Sequence, residues 1–575
     1  MEKKWKILDK IDESLRVQFP EINDVVLQLL YNRGLTDQAE IDDFLSPNYD
    51  EQILDPYLFK DMGKSVERIF QAVEKKEKVV IYGDYDADGV CSTAVLYYTL
   101  KKIGLDVEIR IPYRDVEGYG LNEEAVIGIV HYEFDLVITV DCGISNKYEI
   151  DILNKGGVDI IITDHHQEPV ERPKAYAILN STLDDSGYPF KKLAGAGVAF
   201  KLAQALIFEA NKKGIGDNLC VGWEKWLLDL VAIATVGDMV PLIGENRILV
   251  KYGLSVLEKT NKPGLKLLVE MAKSSFMNTV DTQLIGWRIA PRLNAAGRIK
   301  DATVAYDILT TEDQSKINEL ADFLEDNNKQ RQAITDKMLK EALGQIDENN
   351  KDKVIWAVGD QWAEGVVGLV AGRLCDRYHR PTLVVSKRGD IYGGSCRSVI
   401  EFNITEAMKN CGDVFVRFGG HAQAGGFQVK GKKNFDKFVK EMTKLANDQL
   451  KDTDLRPEIA IDAEIRLIDV NWELWDELER FEPFGEGNEK PLFTISKMKI
   501  EQSQLVGKDG KHLRLMTTQT GNAKIYKLIG FGFGDWNDKI KQGSYIDVVC
   551  EIDVNEWNGN RELQLKIVDL RLHEK

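Results

Sequence analysis

The sequence predicts a multidomain α/β protein. It should comprise a doubly wound parallel sheet, a long connecting helix, a second α/β domain and an all-β barrel at its C-terminal end. Three observations predict this. Apolar runs of strand length alternate with helix-length segments over residues 61–300. Residues 312–345 then keep a helical pattern without proline, and without glycine before Gly344. From about residue 455 the texture changes to short strands separated by turns. A chain of 575 residues is too long for one core, so several domains are expected.

In chain order, residues 1–60 read as an N-terminal helical lead-in that ends in a Pro- and Asp-rich stretch, Ser46-Pro47-Asn48 and Asp55-Pro56. Residues 61–305 form the first α/β domain, with strands at 79–83, 107–112, 135–140 and 159–163 and helices at 91–103, 145–155, 194–207 and 225–236. Residues 306–347 carry the long helix. Thr310 or Thr311 is placed to cap it, and it would span about 50 Å. Its many charged and amide side chains suit a connector better than a helix folded onto a core. Residues 348–450 restart the α/β pattern, with VIWAVG (354–359) and TLVVS (382–386) as strands and Glu364–Tyr378 as the helix between them. Residues 451–575 hold six short strands and an Asn558-Gly559 hairpin turn, which suits an OB-like barrel.

Composition excludes some classes. No apolar run approaches the roughly 20 residues of a membrane span, and Lys3–Lys4 precede no apolar leader. Seven cysteines form no CxxC pair, which favours the cytoplasm. The net charge of −18 counts superficially against a nucleic-acid partner. Acids gathered at a cation site and on surface helices (Glu312, Asp313, Glu319, Asp322) would leave Arg and Lys free to concentrate elsewhere.

The chemistry lies where strands should end. GDYDADG (83–89) carries Asp84, Asp86 and Asp88. VDCG (140–143) carries Asp141, TDHH (163–166) carries Asp164, His165 and His166, and VGDMVP (236–241) carries Asp238. In a doubly wound sheet the carboxyl ends of the strands form the binding crevice, so these groups should converge. Five or six carboxylates there would repel one another without a cation. Carboxylate with imidazole suits Mn²⁺ or Mg²⁺, and two such ions are the usual device for hydrolysing a phosphate ester. Taken singly, each motif has a plainer reading: the aspartates of 84–88 as an Asx turn capping the next helix, the histidines as structural. Their joint recurrence in matching contexts favours the metal reading. A second group lies in what read as glycine-rich loops: GGSCRS (393–398), with Ser395 and Arg397, and GGHA (419–422), with Gly419, Gly420 and His421, where backbone can approach a phosphate.

The DHH triplet, the upstream DxDxDG and the downstream Asp238 resemble the DHH phosphoesterase superfamily. LLYNRG (29–34), GYGL (118–121), LAGAGVAFKLAQAL (193–206), PRLNAAGR (291–298), EGVVGLVAGRL (364–374), FGGHAQAGGF (418–427) and FEPFGEGNEKPLF (481–493) extend the resemblance to the RecJ family of exonucleases along nearly the whole chain. GGSCRS and GGHA look like the DHHA1 domain that accompanies DHH domains. The resemblance implies a 5′→3′ exonuclease that hydrolyses single-stranded DNA to 5′-mononucleotides in recombination and repair, using two divalent ions, Mn²⁺ or Mg²⁺. It implies Asp141 as the shared ligand, Asp84 and Asp86 on one ion, and Asp88, His165 and Asp238 on the other. Asp164 and His166 would orient these ligands, and His421 would belong to the catalytic set. Arg114, Arg298, Ser395 and Arg397 would hold the 5′-phosphate, while Asn294 would support the scissile phosphate or fix its loop. A surface ion pair is the plainer reading of Arg114 and Arg298. One departure stands out: where many relatives have His-Glu-Gly, this chain has Ala363-Glu364-Gly365.

In the last module Trp472, Trp475, Trp536, Trp557, Phe484, Phe493, Tyr526, Phe531 and Phe533 are candidates for base stacking. A place in the barrel core is the better reading for any single one. Lys497, Lys499, Lys508, Lys511, Arg514, Lys524 and Lys527 are candidate phosphate contacts. The expected partners are single-stranded DNA, with a single-strand-binding protein and a helicase as candidates, and the chain is expected to be a monomer without membrane contact. Two competing functions are a DHH/DHHA1 phosphodiesterase for oligonucleotides or cyclic dinucleotides, and a non-catalytic DNA-binding replication scaffold.

Overall fold

The computed structural model describes residues 2–574 apart from 114–116, 216–219, 275–277, 300, 348, 521 and 558–559. The chain divides into two compact units. The larger is Leu54–Val240 with Gly244–Leu455. The smaller is Met1–Ile53 with Pro241–Ile243 and Arg456–Lys575. Strand β1 (Lys4–Ile7) belongs to the smaller unit.

The first sheet of the larger unit has five strands: β2 (Val79–Gly83), β3 (Val107–Arg110), β4 (Leu136–Val140), β5 (Asp159–Asp164) and β6 (Ala177–Asn180). Their order is β3-β2-β4-β5-β6 and every pairing is parallel. Every residue of β2 and β4 is buried, as expected of central parallel strands covered on both faces. Strand β2 has β3 on one side and β4 on the other, so the chain reverses direction across the sheet there. The crevice at such a switch point opens at the carboxyl ends of β2 and β4. The four expected strands are all present. The short run AILN of β6 carried too little pattern to be recognised.

Helix Gln314–Leu343 has thirty residues and spans about 45 Å. Its cap is Asp313, whose side chain accepts the Ser315 N–H. The expected caps are otherwise engaged: Thr310 ends the preceding helix Thr303–Thr310 and Thr311 is that helix's C-cap. The helix also packs onto cores, the alternative that its charged and amide side chains had counted against. Ile317, Ala321 and Leu324 bury its first half, while Met338 and Ala342 join a core with Trp362, Val366 and Val370.

The second sheet contains β7 (Ile355–Asp360), β8 (Thr382–Arg388), β9 (Ile391–Arg397), β10 (Phe415–Gly420) and β11 (Ala424–Lys430), in the order β10-β11-β9-β8-β7. Only β7–β8 is parallel. GGSCRS and FGGHAQAGGF, expected to be glycine-rich loops, therefore lie largely in strands. Glycine weakens the strand signal, but here it pairs in register, Gly419 with Gly426 and Gly426 with Ser395.

The smaller unit holds β12 (Glu458–Ile461), β13 (Ala463–Glu464), β14 (Phe493–Val506), β15 (His512–Gln519), β16 (Asn522–Gly530), β17 (Tyr545–Trp557) and β18 (Asn560–Leu572). The order β14-β15-β16-β18-β17, with β17 pairing back to β14, closes a five-stranded barrel. Phe493 and Tyr526 are buried in it, and Trp475, Phe484, Phe533 and Trp536 pack against its core. Trp472 and Phe531 are exposed. The side chain of Trp557 and the turn Asn558-Gly559 lie outside the described residues.

The N-terminal segment opens with a strand rather than a helix: β1 pairs in parallel with β12. Helix Asp24–Asn32 buries Val26, Leu27, Leu29 and Leu30 in one cluster with Leu474 of helix Trp472–Glu479, Phe481 and the barrel residue Phe493. An amphipathic helix of nine residues has no stability of its own and depends on such a partner. Leu27→Ala should therefore cost about 2–5 kcal/mol in chemical denaturation followed by barrel tryptophan fluorescence. A loosely attached lead-in would instead change stability by less than about 0.5 kcal/mol.

Candidate functional site

The loop after β2 turns directly into helix Ala87–Lys102. Asp86 is the N-cap, and its Oδ1 accepts the Asp88 and Gly89 N–H groups at 3.0 and 3.1 Å. The plain capping reading thus holds for Asp86, which nonetheless joins Asp84 and Asp141 in one group of potential ligands. Asp88 points back into the crevice. Its Oδ2 accepts the Gly195 N–H and its Oδ1 the Ala196 N–H, both at 2.7 Å. These are the first amides of helix Gly195–Lys213, where a negative charge is favoured by the helix dipole.

Asp141 follows β4 with φ 58, a left-handed conformation for a residue with a side chain. Strain of this kind collects at functional sites. A Cβ on Gly195 would lie 2.7 Å from Cβ and Oδ1 of Asp141, so only glycine permits the approach. Asp238 is the C-cap of helix Leu228–Gly237. His165 Nε2 lies 3.1 Å from Asp141 Oδ1 and 3.7 Å from both Asp88 Oδ2 and Asp238 Oδ2. Three groups result: Asp84, Asp86 and Asp141; Asp88, His165 and Asp238; and Asp141, His165 and His166. Within each, the ligand atoms lie within 4.8 Å of one another. Asp141 and His165 are each shared by two groups.

Electrostatics follow from this crowding. Burial, then the charges of Asp88, Asp86, Asp84 and Asp238, push the Asp141 carboxyl well above the usual range. Burial, then Asp88 and Asp86, raise Asp238 to about 8. Burial raises Asp88, against the pull of His165. Burial likewise lowers His165. Asp164 behaves differently. Its burial is outweighed by the His166 ring and by the N–H groups of Ile144 and His166, so its pKa falls. Burial lowers His166, but its 2.8 Å bond to Asp164 Oδ1 and the charges of Asp164, Asp238 and Asp84 raise it to about 9.

The donor set fits divalent cations. Carboxylate oxygens and imidazole nitrogens suit Mn²⁺ and Mg²⁺, and among the described residues the buried Asp141 Oδ1 accepts no hydrogen bond. A cation would relieve both the repulsion and the unmet acceptor.

A cavity of about 460 Å³ lies over the second sheet. Its lining includes Arg298, Ser395, Arg397, Arg417 and Gly419. Arg397 donates to Ser395 Oγ and to the Cys396 carbonyl. Helix Ala290–Ile299 links the two places. Asn294 Oδ1 accepts the Ala87 N–H at 2.7 Å, and Arg298, one turn on, donates to the Gly365 carbonyl at 2.9 Å. The loop-fixing contact expected of Asn294 is thus present.

Two expected residues lie elsewhere. His421 is exposed on the turn between β10 and β11, outside the cavity lining and outside the acidic groups. The hairpin ends there, with the His421 N–H bonded to the Ala424 carbonyl. Gly420 is also absent from the lining. A Cβ there would meet the Ala424 carbonyl oxygen at 2.3 Å, so the tight hairpin requires this glycine. Arg114 lies outside the described residues. Conversely, Tyr119 was overlooked. Its hydroxyl donates to the Asp141 carbonyl at 3.1 Å and meets His166 Nδ1 at 2.9 Å. Burial, then the Asp164 and Asp141 charges, keep that phenol protonated. The GYGL and LAGAGVAF segments stood out in the sequence, but nothing in them assigned Tyr119 or the amides of Gly195 and Ala196. Arg417 was also overlooked, although it adjoins the FGGHAQAGGF motif.

Family models match in three places: the DHH family N-terminal domain over residues 78–235, the DHHA1 domain over 350–448 and the RecJ OB domain over 461–569. The protein named single-stranded-DNA-specific exonuclease RecJ of Bacillus subtilis (strain 168) is 37% identical over 578 residues, covering 99% of this chain and 71% of that protein. This chain belongs to the RecJ family. The RecJ of Escherichia coli (strain K12) is 32% identical over 521 residues, covering 88% of this chain and 89% of that one. The crystal structure of RecJ in complex with Mn²⁺ from Thermus thermophilus matches with a TM-score of 0.83 at 29% identity, covering all of this chain and 80% of that one. The Mg²⁺ complex from the same organism matches at 0.77 and 27%, covering 100% and 79%.

Asp141→Asn tests the cation fit. A carboxyl whose folded pKa is raised destabilises the fold increasingly as pH rises above its unfolded value. The neutral isostere removes that penalty. At pH 8 without metal, the variant should melt no lower than the parent. Added Mn²⁺ should raise the parent's Tm and leave the variant's nearly unmoved. A full metal-induced shift in the variant would remove Asp141 from the site.

Proposed function

We infer that this chain is a metal-dependent exonuclease that hydrolyses single-stranded DNA from its 5′ end to 5′-mononucleotides, in recombination and repair. The observation that carries this reading is helix Ala290–Ile299, which holds the acidic loop through Asn294 and borders the arginine-lined cavity through Arg298. A hydrolytic cluster and an anion site therefore belong to one unit. The family membership and the names of the relatives supply the substrate.

In this reading Asp84, Asp86, Asp88, Asp141, His165 and Asp238 hold two divalent ions, with Asp141 shared. When bound, the ions supply an activated water and offset charge on the scissile phosphate. Asp164 fixes the His166 ring and the backbone of the DHH turn, so the two histidines enter the crevice already oriented. Tyr119 holds the Asp141 backbone from the other side. Metal ions do not read strand direction, so polarity needs a second contact. Ser395, Arg397 and Arg298 supply it by gripping the terminal 5′-phosphate, and Gly419 keeps the wall of the cavity open. Arginine suits this role because its planar fork binds phosphate with two parallel bonds.

The enzyme acts as a single copy in the cytoplasm. A helicase separates the strands it degrades, and a single-strand-binding protein keeps them apart. The support for these partners is the substrate itself, which exists only where duplex has been opened.

End-labelled strands test the reading. Single-stranded DNA with Mn²⁺ or Mg²⁺ should release mononucleotides from the 5′ end, whereas duplex DNA and metal-free reactions should not. Release from the 3′ end, or internal cleavage, would overturn it. Arg397→Ala should slow 5′-phosphorylated DNA by about ten- to a hundredfold more than 5′-hydroxyl DNA, as expected for losing a charge-assisted contact of about 1.5–3 kcal/mol. An unchanged ratio of single-turnover rates would place recognition of the 5′ end elsewhere.

A further inference from the structure

Besides Arg298 and Arg397, the cavity over the second sheet contains a third arginine, Arg417, that the terminal phosphate does not require. Arg417 lies on β10, and the register Arg417↔Gln428↔Gly393 places it in one cross-strand row. Side chains alternate faces along a strand. Gly393, Ser395 and Arg397 therefore share a face of β9, while Cys396 is fully buried on the other. Gln428 and Arg417 continue the open face. The Ser395 row runs through Gly426 and Gly419, so Ser395 is the one side chain that this row places between the two arginines.

Charge makes the case sharper. Among the described residues, no carboxylate lies within ion-pair distance of Arg397 or Arg417. The acid in the lining, Glu364, lies 3.3 Å from Arg388. Arg397 and Arg417 thus face a common cavity with no carboxylate paired to either, in a chain whose net charge is −18. With neither guanidinium in an ion pair, both are available to an anionic ligand. Rows two residues apart are separated by about 6.6 Å, so the rows of Arg397 and Arg417 lie roughly 13 Å apart along the strand. One phosphate docked on Ser395 and Arg397 leaves the other row unserved.

We propose that Arg417, with Gln428 beside it, binds a second phosphate of the same DNA strand: an internucleotide phosphate on the 3′ side of the scissile one. This rests on the exonuclease reading above and deepens it. Arg397 reads the end of the strand, and Arg417 holds its continuation.

The test uses the full-length protein and DNA in which one internucleotide linkage at a time is a neutral methylphosphonate. For the parent, neutralising one linkage 3′ of the scissile phosphate should lower kcat/KM by about ten- to a hundredfold, mainly through KM. Arg417→Ala should lower kcat/KM on unmodified DNA by a similar factor. Combining that variant with that linkage should add no further loss, and Arg417→Lys should recover part of it. The ratio of rates on 5′-phosphorylated and 5′-hydroxyl DNA should stay at the parent value in Arg417→Ala. Additive losses at every linkage, or a collapse of that ratio, would overturn the proposal, the latter by assigning Arg417 to the terminal phosphate. A parent protein that degrades no single-stranded DNA would instead sink the exonuclease reading, a distinguishable result. Arg417 is exposed, so its substitution leaves the core intact.

Discussion

The structure turns on the crowding of carboxylates around Asp141. Asp84, Asp86 and Asp141 form one tight group, while Asp88 and Asp238 meet across His165. Without a cation such an assembly opposes folding, as the raised carboxyl pKa values of Asp88, Asp141 and Asp238 express. The protein holds it together with features that have no other evident purpose. Asp141 adopts a left-handed backbone, Gly195 gives up its side chain to let Asp141 approach, and the first amides of a nineteen-residue helix are aimed at Asp88. Each is locally unfavourable or restrictive. Together they make sense if the occupant is a strongly charged ion whose binding energy exceeds their cost.

The same constraint explains the topology. Ligands scattered over more than 150 residues can meet only where successive parallel strands end on one side of a sheet. The order β3-β2-β4-β5-β6 provides one such place, between β2 and β4. Asp84 and Asp141 leave from those two strands, and Asp164 ends β5. Asp238 arrives differently, at the end of a buried helix, and closes the crevice from outside the sheet. The second sheet needs no such convergence. Its arginine-lined cavity is built by register, with Gly393, Gly426 and Gly419 leaving gaps among the side chains on one face of three adjacent strands. The ion pair of Arg292 with Glu325 then ties the linking helix Ala290–Ile299 to the long helix at 2.7 Å.

How much of this was legible depends on the kind of signal. Strand–turn–acid patterns survive in sequence because local hydrophobic runs and polar turns encode them, so β2, β4 and β5 and the groups at their ends were readable. Asp86 was readable in two ways, as cap and as ligand, and the structure gives it a geometry compatible with both. Tyr119 was not, because a tyrosine in a glycine-flanked turn carries no mark of the carbonyl it will meet. Partnerships distant in sequence were equally hidden. Nothing in KWKI announces that β1 will pair with residues 458–461, and a lead-in of short helices looks the same whether it is free or packed. Glycine-rich strands were misread as loops because their pairing energy comes from backbone bonds and register, which composition does not report.

An acidic protein that binds DNA poses an apparent contradiction, and the distribution of charge resolves it. At physiological ionic strength an exposed charge is felt over roughly 8 Å, so a net charge of −18 spread over a 575-residue surface has little bearing on any one groove. What matters locally is the cavity, which Arg298, Arg397 and Arg417 line and where the acid Glu364 has a partner of its own. Five of the acids counted in the total are gathered in the cation-binding groups, where bound ions would offset them. The acidic groups and the arginine-lined cavity therefore suit a phosphate in different ways. One is acidic and approaches a phosphate only through cations, while the other is basic and approaches it directly. A strand with regularly spaced phosphates can satisfy both at once, and a single small anion cannot. That difference favours a polymer as the ligand of this chain.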